Sequence, residues 1–134
     1  KQTYGANIQF PIIADENLYV SKLYNMLPAD TVAEGKRSAA GNATVRTVYI
    51  ISPDLKIKMM MAYPMTTGRD VEELLRVVDS IQLTAGHKVA TPVNWRSGQA
   101  VIIAASVSDD EAKKLFPEGW KSINAYTRVV GQPK

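Results

Sequence analysis

The sequence contains no cysteine and a single histidine in 134 residues. The first absence excludes disulfides, thiolate metal sites and a cysteine nucleophile supplied by this chain; the second excludes a multi-histidine metal site. No cofactor or metal is expected. Aromatic residues amount to 7% and the lysines and arginines are scattered along the chain. A net charge of +3 and a pI near 9.2 therefore come without the basic, aromatic-bearing platform that nucleic-acid binders use, and nucleic acid is not expected as a partner. No apolar run approaches the roughly 20 residues that a membrane-spanning helix needs. There is also no internal repeat and no low-complexity segment. The chain opens on Lys1-Gln2-Thr3, without an initiator methionine or a signal-peptide pattern, which reads as a processed protein or a piece of something longer.

What is present suffices for one domain with a real core. Hydrophobic residues make up 46% and charged ones 22%, an ordinary globular balance. The stretch ATVRTVYIISPDLKIKMMMAYPMTTGR, residues 43–69, organises the rest. Two β-branched, apolar runs, 44–51 and 56–63, flank Ser52-Pro53-Asp54-Leu55, where proline at the second position pre-sets a type I turn. This predicts a β-hairpin. Alternation along the first strand puts Arg46 on one face with Val48 and Ile50, and Val45, Thr47, Tyr49 and Ile51 on the other.

Before the hairpin, Phe10-Pro11-Ile12-Ile13-Ala14 is suited to an edge strand, and Asp15 or Asn17 to capping a helix that carries Val20, Leu23, Tyr24 and Leu27 and stops at Pro28. Residues 28–42 read as a long loop over a site or a mobile one. After the hairpin, Asp70 with Glu73 starts the clearest helix, with Val71, Leu74, Leu75, Val78 and Ile81 as its apolar stripe. Gly86 is placed as a left-handed cap, followed by His87 and Lys88 at the negative helix end. Residues 89–99 read as extended and turn-rich, 100–105 as a short buried strand. Ser108 with Glu111 caps a helix ending near Phe116-Pro117, and 122–130 holds one or two short strands. This last part reads as a small appended lobe in which Trp95 and Trp120 are packing residues.

Two arginines are the candidate functional residues. Arg46 projects from an otherwise apolar strand face, where a guanidinium is costly unless an anion or a surface carboxylate meets it. As a functional group it would be an anion clamp, because it keeps its charge and presents fixed donors. Arg69 follows Thr-Thr-Gly at a helix start, either as exposed loop charge or near the same site. Asp54 reads as a turn residue and His87 as a charge partner of the helix end. The strand carrying Met59-Met60-Met61 would ordinarily face the core. At a sheet edge it could instead pair with a second copy.

These pieces together resemble the 1-Cys peroxiredoxins. The resemblance rests on FPIIAD at 10–15, TVR at 44–46, YPMTTGR at 63–69, LLRVVDSIQL at 74–83, VATPVNW at 89–95 and EAKKLFP at 111–117. It covers nearly the whole chain and is weakest over 28–42. It implies an α/β fold: the C-terminal half of a thioredoxin-like domain (β-α-β-β-α) over residues 1–88, and a small α+β dimerisation domain over 89–134. It implies two further strands, from an N-terminal half, between the FPII strand and the first hairpin strand. It also implies reduction of hydrogen peroxide and alkyl hydroperoxides with a thiol reductant. Arg46 and Arg69 would be the arginines of a site whose cysteine lies upstream. The implied partners are the chain's own N-terminal half and a second copy, met through the Ile57–Tyr63 edge strand and the C-terminal domain. A cytoplasmic location is expected. The competing reading is a non-catalytic dimerisation module.

Overall fold

The computed structural model describes Gly5, residues 7–28 and residues 43–134, and places them in a mixed α/β arrangement with two separate sheets. In chain order the elements are α1 (Tyr19–Leu23), β1 (Arg46–Ile51), β2 (Ile57–Tyr63), α2 (Val71–Gly86), β3 (Val89–Ala90), β4 (Val101–Ile103), α3 (Asp109–Leu115), β5 (Lys121–Asn124) and β6 (Thr127–Val130). They divide into two compact units. One holds residues 1–48 and 60–68, the other 49–59 and 69–134.

In the first unit, α1 is a single turn of helix whose free N–H groups are met from upstream. The Asp15 carboxylate accepts from the Val20 N–H at 2.8 Å, the Ser21 N–H at 2.9 Å and the Ser21 hydroxyl at 2.6 Å, while the Asn17 side chain accepts from the Tyr19 N–H at 3.1 Å. Both expected capping residues are therefore used. The helix is shorter than its apolar pattern predicts, ending at Leu23 in a turn where Asn25 takes a left-handed conformation, φ 52°.

The edge strand expected at Phe10–Ala14 does not form. Phe10, Ile12 and Ile13 are 65–72% exposed. A strand needs a neighbour for its backbone groups, and Pro11 donates no N–H. Among the described residues no strand offers itself to this segment, and β1 pairs with β2 alone. The expected pair of strands between them is thus not supplied by the described residues. Among the described residues this sheet is two strands wide. The expectation for residues 28–42 lies, except at Pro28, outside the described residues.

The hairpin turn forms as its chemistry predicts. The Ser52 N–H donates to the Lys56 carbonyl at 3.0 Å, the Leu55 N–H to the Ser52 carbonyl at 2.9 Å, and the Ser52 hydroxyl reaches both Asp54 and the Lys56 carbonyl. The Ser52 hydrogen bond, followed by the nearby Lys58 ammonium, holds the Asp54 carboxyl below its ordinary value.

The second unit carries every fully buried apolar residue found among the described ones. Val89, Trp95, Val101, Ile103, Val107, Ala112 and Val130 form one cluster, with Leu83, Ala104, Phe116 and Trp120 packed against it. Its sheet runs β3-β4-β6-β5, with neighbours antiparallel: Val89 opposite Ile103, Val101 opposite Val130, Lys121 opposite Val129. Helix α2 begins where Asp70 accepts from the Glu73 N–H at 3.0 Å, and α3 where Ser108 accepts from the Glu111 N–H at 3.2 Å. The α2 stripe is only half used: Leu74, Val78 and Ile81 are partly buried, but Val71 and Leu75 are each 61% exposed. Gly86 does not act as a left-handed cap. It is the last helical residue, and His87 leaves in extended conformation, φ −134°. The reason is distance along the chain: only Lys88 separates that residue from Val89, which must already lie in the sheet beside Ile103.

Candidate functional site

Arg46 is the first residue of β1, and the backbone just before it is tied down, since the Val45 N–H donates to the Met26 carbonyl at 2.6 Å. The end of β2 returns to the same end of the hairpin. There a turn closes, with the Thr67 N–H donating to the Pro64 carbonyl at 2.9 Å, and Arg46 Nη1 donates to the Thr67 carbonyl at 2.9 Å. The residue as a whole is half-buried, and the bond to the Thr67 carbonyl lies at the surface. A guanidinium has five N–H donors in a rigid fork, and among the described residues this one bond orients the group. The geometry is that of a cation oriented by one neutral acceptor.

Arg69 belongs to the second unit. It is exposed and directly precedes the capping residue Asp70. Asp54 and His87 fall where their modest readings put them, in the hairpin turn and at the end of α2.

One cluster of charged side chains escapes the sequence reading. On α2, Arg76 makes a fork to Glu73, Nε to one carboxylate oxygen at 2.6 Å and Nη2 to the other at 2.7 Å, and its Nη1 reaches the Trp95 carbonyl at 3.5 Å. Four residues further along, the hydroxyls of Ser80 and Thr91 meet at 2.7 Å. The helix is thereby stapled to residues 91–95. The sequence signal was the three-residue spacing of Glu73 and Arg76, which are neighbours on a helix surface. The Arg76 hydrogen bonds hold the Glu73 carboxyl below its ordinary value of 4.5, and the same pairing raises Arg76. A carboxyl depressed in the folded state contributes stability above its unfolded value and loses it as pH falls through the folded one. Acidification below about pH 4.5 should therefore destabilise the second unit more in the parent chain than in Glu73→Gln. Denaturant unfolding across a pH series checks this; parallel profiles for the two chains would refute it.

A second staple holds the second unit. Arg128 Nη1 donates to Asp109 at 2.7 Å, and Nη2 donates to the Val107 carbonyl at 2.5 Å. The guanidinium also sits 5.8 Å from the Trp120 ring centroid. Among the described residues no helix is long and apolar enough to cross a membrane.

Comparison with known proteins gives a consistent answer. Residues 80–121 match the family model described as the C-terminal domain of 1-Cys peroxiredoxin. A probable 1-Cys peroxiredoxin of Syntrichia ruralis is 44% identical over 123 residues, which cover 91% of this chain and 54% of that protein. The crystal structure of a cysteine-to-serine mutant of peroxiredoxin 6 of Arenicola marina is similar at a TM-score of 0.77 and 42% identity, covering 96% of this chain and 59% of that one. The structure of a yeast mitochondrial 1-Cys peroxiredoxin, described with thiol resolution through glutathione and thioredoxin systems, has a TM-score of 0.77 and 40% identity, covering 93% and 57%. The chain thus spans a little over half the length of these relatives.

Proposed function

This chain belongs to the 1-Cys peroxiredoxin family, matching its C-terminal part, and from that membership we propose that it supplies the arginine side of a thiol peroxidase site. The observation that carries the proposal is the Arg46 guanidinium, at the start of β1, held by the Thr67 carbonyl. The cysteine comes from polypeptide outside this sequence, which has none. Arg46 lowers the pKa of that thiol by placing a permanent cation beside it, and so raises the fraction present as the reactive thiolate. The thiolate attacks one peroxide oxygen, the O–O bond breaks, and water or an alcohol leaves as the sulfur becomes a sulfenic acid. The departing oxygen gains negative charge, which the remaining N–H donors of Arg46 stabilise. Arg69 is assigned a part in the same chemistry by the family resemblance of its Thr-Thr-Gly-Arg segment alone. A thiol reductant then returns the sulfur to its starting state; glutathione and thioredoxin systems are the first to try, on the precedent of the yeast relative.

The domain boundary in this reading falls near residue 88. Residues 1–88 complete a thioredoxin-like domain, and residues 89–134 form the C-terminal domain. Two copies meet through the Ile57–Tyr63 edge and that domain, in the cytoplasm. The open two-stranded sheet and the exposed Phe10, Ile12 and Ile13 support a fold completed by further chain, because an unpaired edge beside an uncovered apolar face invites association.

The test is complementation. Alone, the chain should consume no peroxide with a thiol reductant. Mixed or co-expressed with the cysteine-bearing N-terminal half of a relative, it should restore turnover. A complex that forms but stays inactive would instead favour the interaction-module reading.

A further inference from the structure

Arg46 is held at two points. The Val45 N–H donates to the Met26 carbonyl at 2.6 Å, which fixes the main chain from which the side chain departs. Arg46 Nη1 donates to the Thr67 carbonyl at 2.9 Å, which fixes the head. The second point is itself built. β2 ends at Tyr63, and Pro64, which has no N–H to give a ladder, opens a four-residue turn. The Thr67 N–H closes it by donating to the Pro64 carbonyl at 2.9 Å. Thr67 is thus bonded on both sides of its α-carbon, its N–H into the turn and its carbonyl to Arg46. The proline ring fixes φ at the first turn residue, which removes freedom from the segment that carries this carbonyl.

A neutral acceptor suits a cation that must act on an anion elsewhere. A carboxylate in its place would cancel the charge that lowers a neighbouring thiol pKa, whereas a carbonyl orients the guanidinium and leaves it positive. An arginine stem has many rotamers, and a donor already in place stabilises developing charge better than one that must be found at each turnover. We propose that Thr67, acting through its main chain, is the positioning residue for Arg46: the turn at 64–67 holds the carbonyl that aims the guanidinium at the reacting sulfur and peroxide. The inference rests on the peroxidase reading above and adds to it the source of the arginine's aim. The Thr67 hydroxyl has no part in it.

The experiment uses this chain co-expressed with the cysteine-bearing N-terminal half of a relative. Thr67→Pro deletes the N–H that closes the turn and keeps the carbonyl. Met65→Pro puts the same ring at the second turn position, where proline is favoured, and is the control. Peroxide turnover is followed across pH, and so is the rate at which iodoacetamide alkylates the active-site cysteine, which reports the thiol pKa without turnover. Thr67→Pro should lower turnover roughly 10- to 100-fold and move the alkylation profile to higher pH, as Arg46→Ala does, with Met65→Pro near the parent. Added to Arg46→Ala, it should cost less than about twofold more, because two changes to one device do not add. Pro64→Gly keeps every donor and acceptor of the turn and only loosens it. It should lose roughly two- to fivefold with the same non-additivity, and it carries the test if Thr67→Pro fails to assemble. Equal losses from the turn variants in the parent and Arg46→Ala backgrounds, or an alkylation profile they leave unmoved, would overturn the proposal. Arg46→Ala at parent values sinks the peroxidase reading as well. Arg46→Ala depressed, with the turn variants at parent values, sinks this inference alone.

Discussion

Replacing Arg46 by alanine should cut peroxide turnover of the complemented enzyme by a factor of about 10²–10³, the usual cost of losing one fixed donor to a developing oxyanion. The loss has two parts that pH separates. Without the cation the thiol pKa rises, so part of the activity should return at alkaline pH as the thiolate forms unaided. The remainder reflects the leaving oxygen and should not return at any pH. Arg46→Lys keeps a positive charge but replaces a rigid fork by a single ammonium, so it should restore the pH profile better than the rate. Stability should change little, because a half-buried arginine with one neutral acceptor contributes little to folding, and denaturant unfolding of the variants checks that the defect is chemical. Arg69→Ala serves as the comparison. An Arg46→Ala enzyme with turnover and pH profile unchanged would remove this residue from the site.

Which parts of this protein the sequence reveals follows the range of the interaction involved. Asp70 and Ser108 each settle a helix start through a hydrogen bond three residues away, and both are found as expected. The Ser52-Pro53-Asp54-Leu55 turn is equally local, and it brings together two strands whose patterns already agree. Trp95, a packing residue by its place in the sequence, is the largest side chain in the core. The apolar run at Phe10–Ala14 looks like a strand by composition, but a strand exists only beside another, and its composition says nothing of what lies alongside. Val71 and Leu75 teach the same lesson on a helix: the stripe is legible, its cover is not. Arg46 stood out as a charge on an oily strand, yet its bond to the Thr67 carbonyl spans 21 residues and depends on a turn after β2. The Arg76 fork was within reach of a spacing argument; its further reach to Trp95 was not.

Trp95→Ala should unfold the second unit under conditions that leave the parent chain folded. The side chain is 1% exposed, at the centre of a cluster whose other fully buried members are aliphatic, so nothing of comparable size can move in to fill the space. Removing a buried tryptophan costs about 3–5 kcal/mol through lost transfer energy and the cavity left behind. Small domains hold only about 5–15 kcal/mol in total, so the change consumes a large share of it. The indole N–H also donates to the Gln99 carbonyl at 3.1 Å, and that acceptor loses its partner. Trp95→Phe keeps most of the ring volume and loses only this bond and part of the packing, so it should fall between parent and alanine. Leu115→Ala, at a side chain 46% exposed, should cost about 1 kcal/mol or less and is the control for truncation at the surface. The fluorescence of Trp120, packed against the same cluster, remains as the reporter of urea unfolding in every variant. A Trp95→Ala midpoint no lower than that of Leu115→Ala would mean that the lobe is held together by something other than this core.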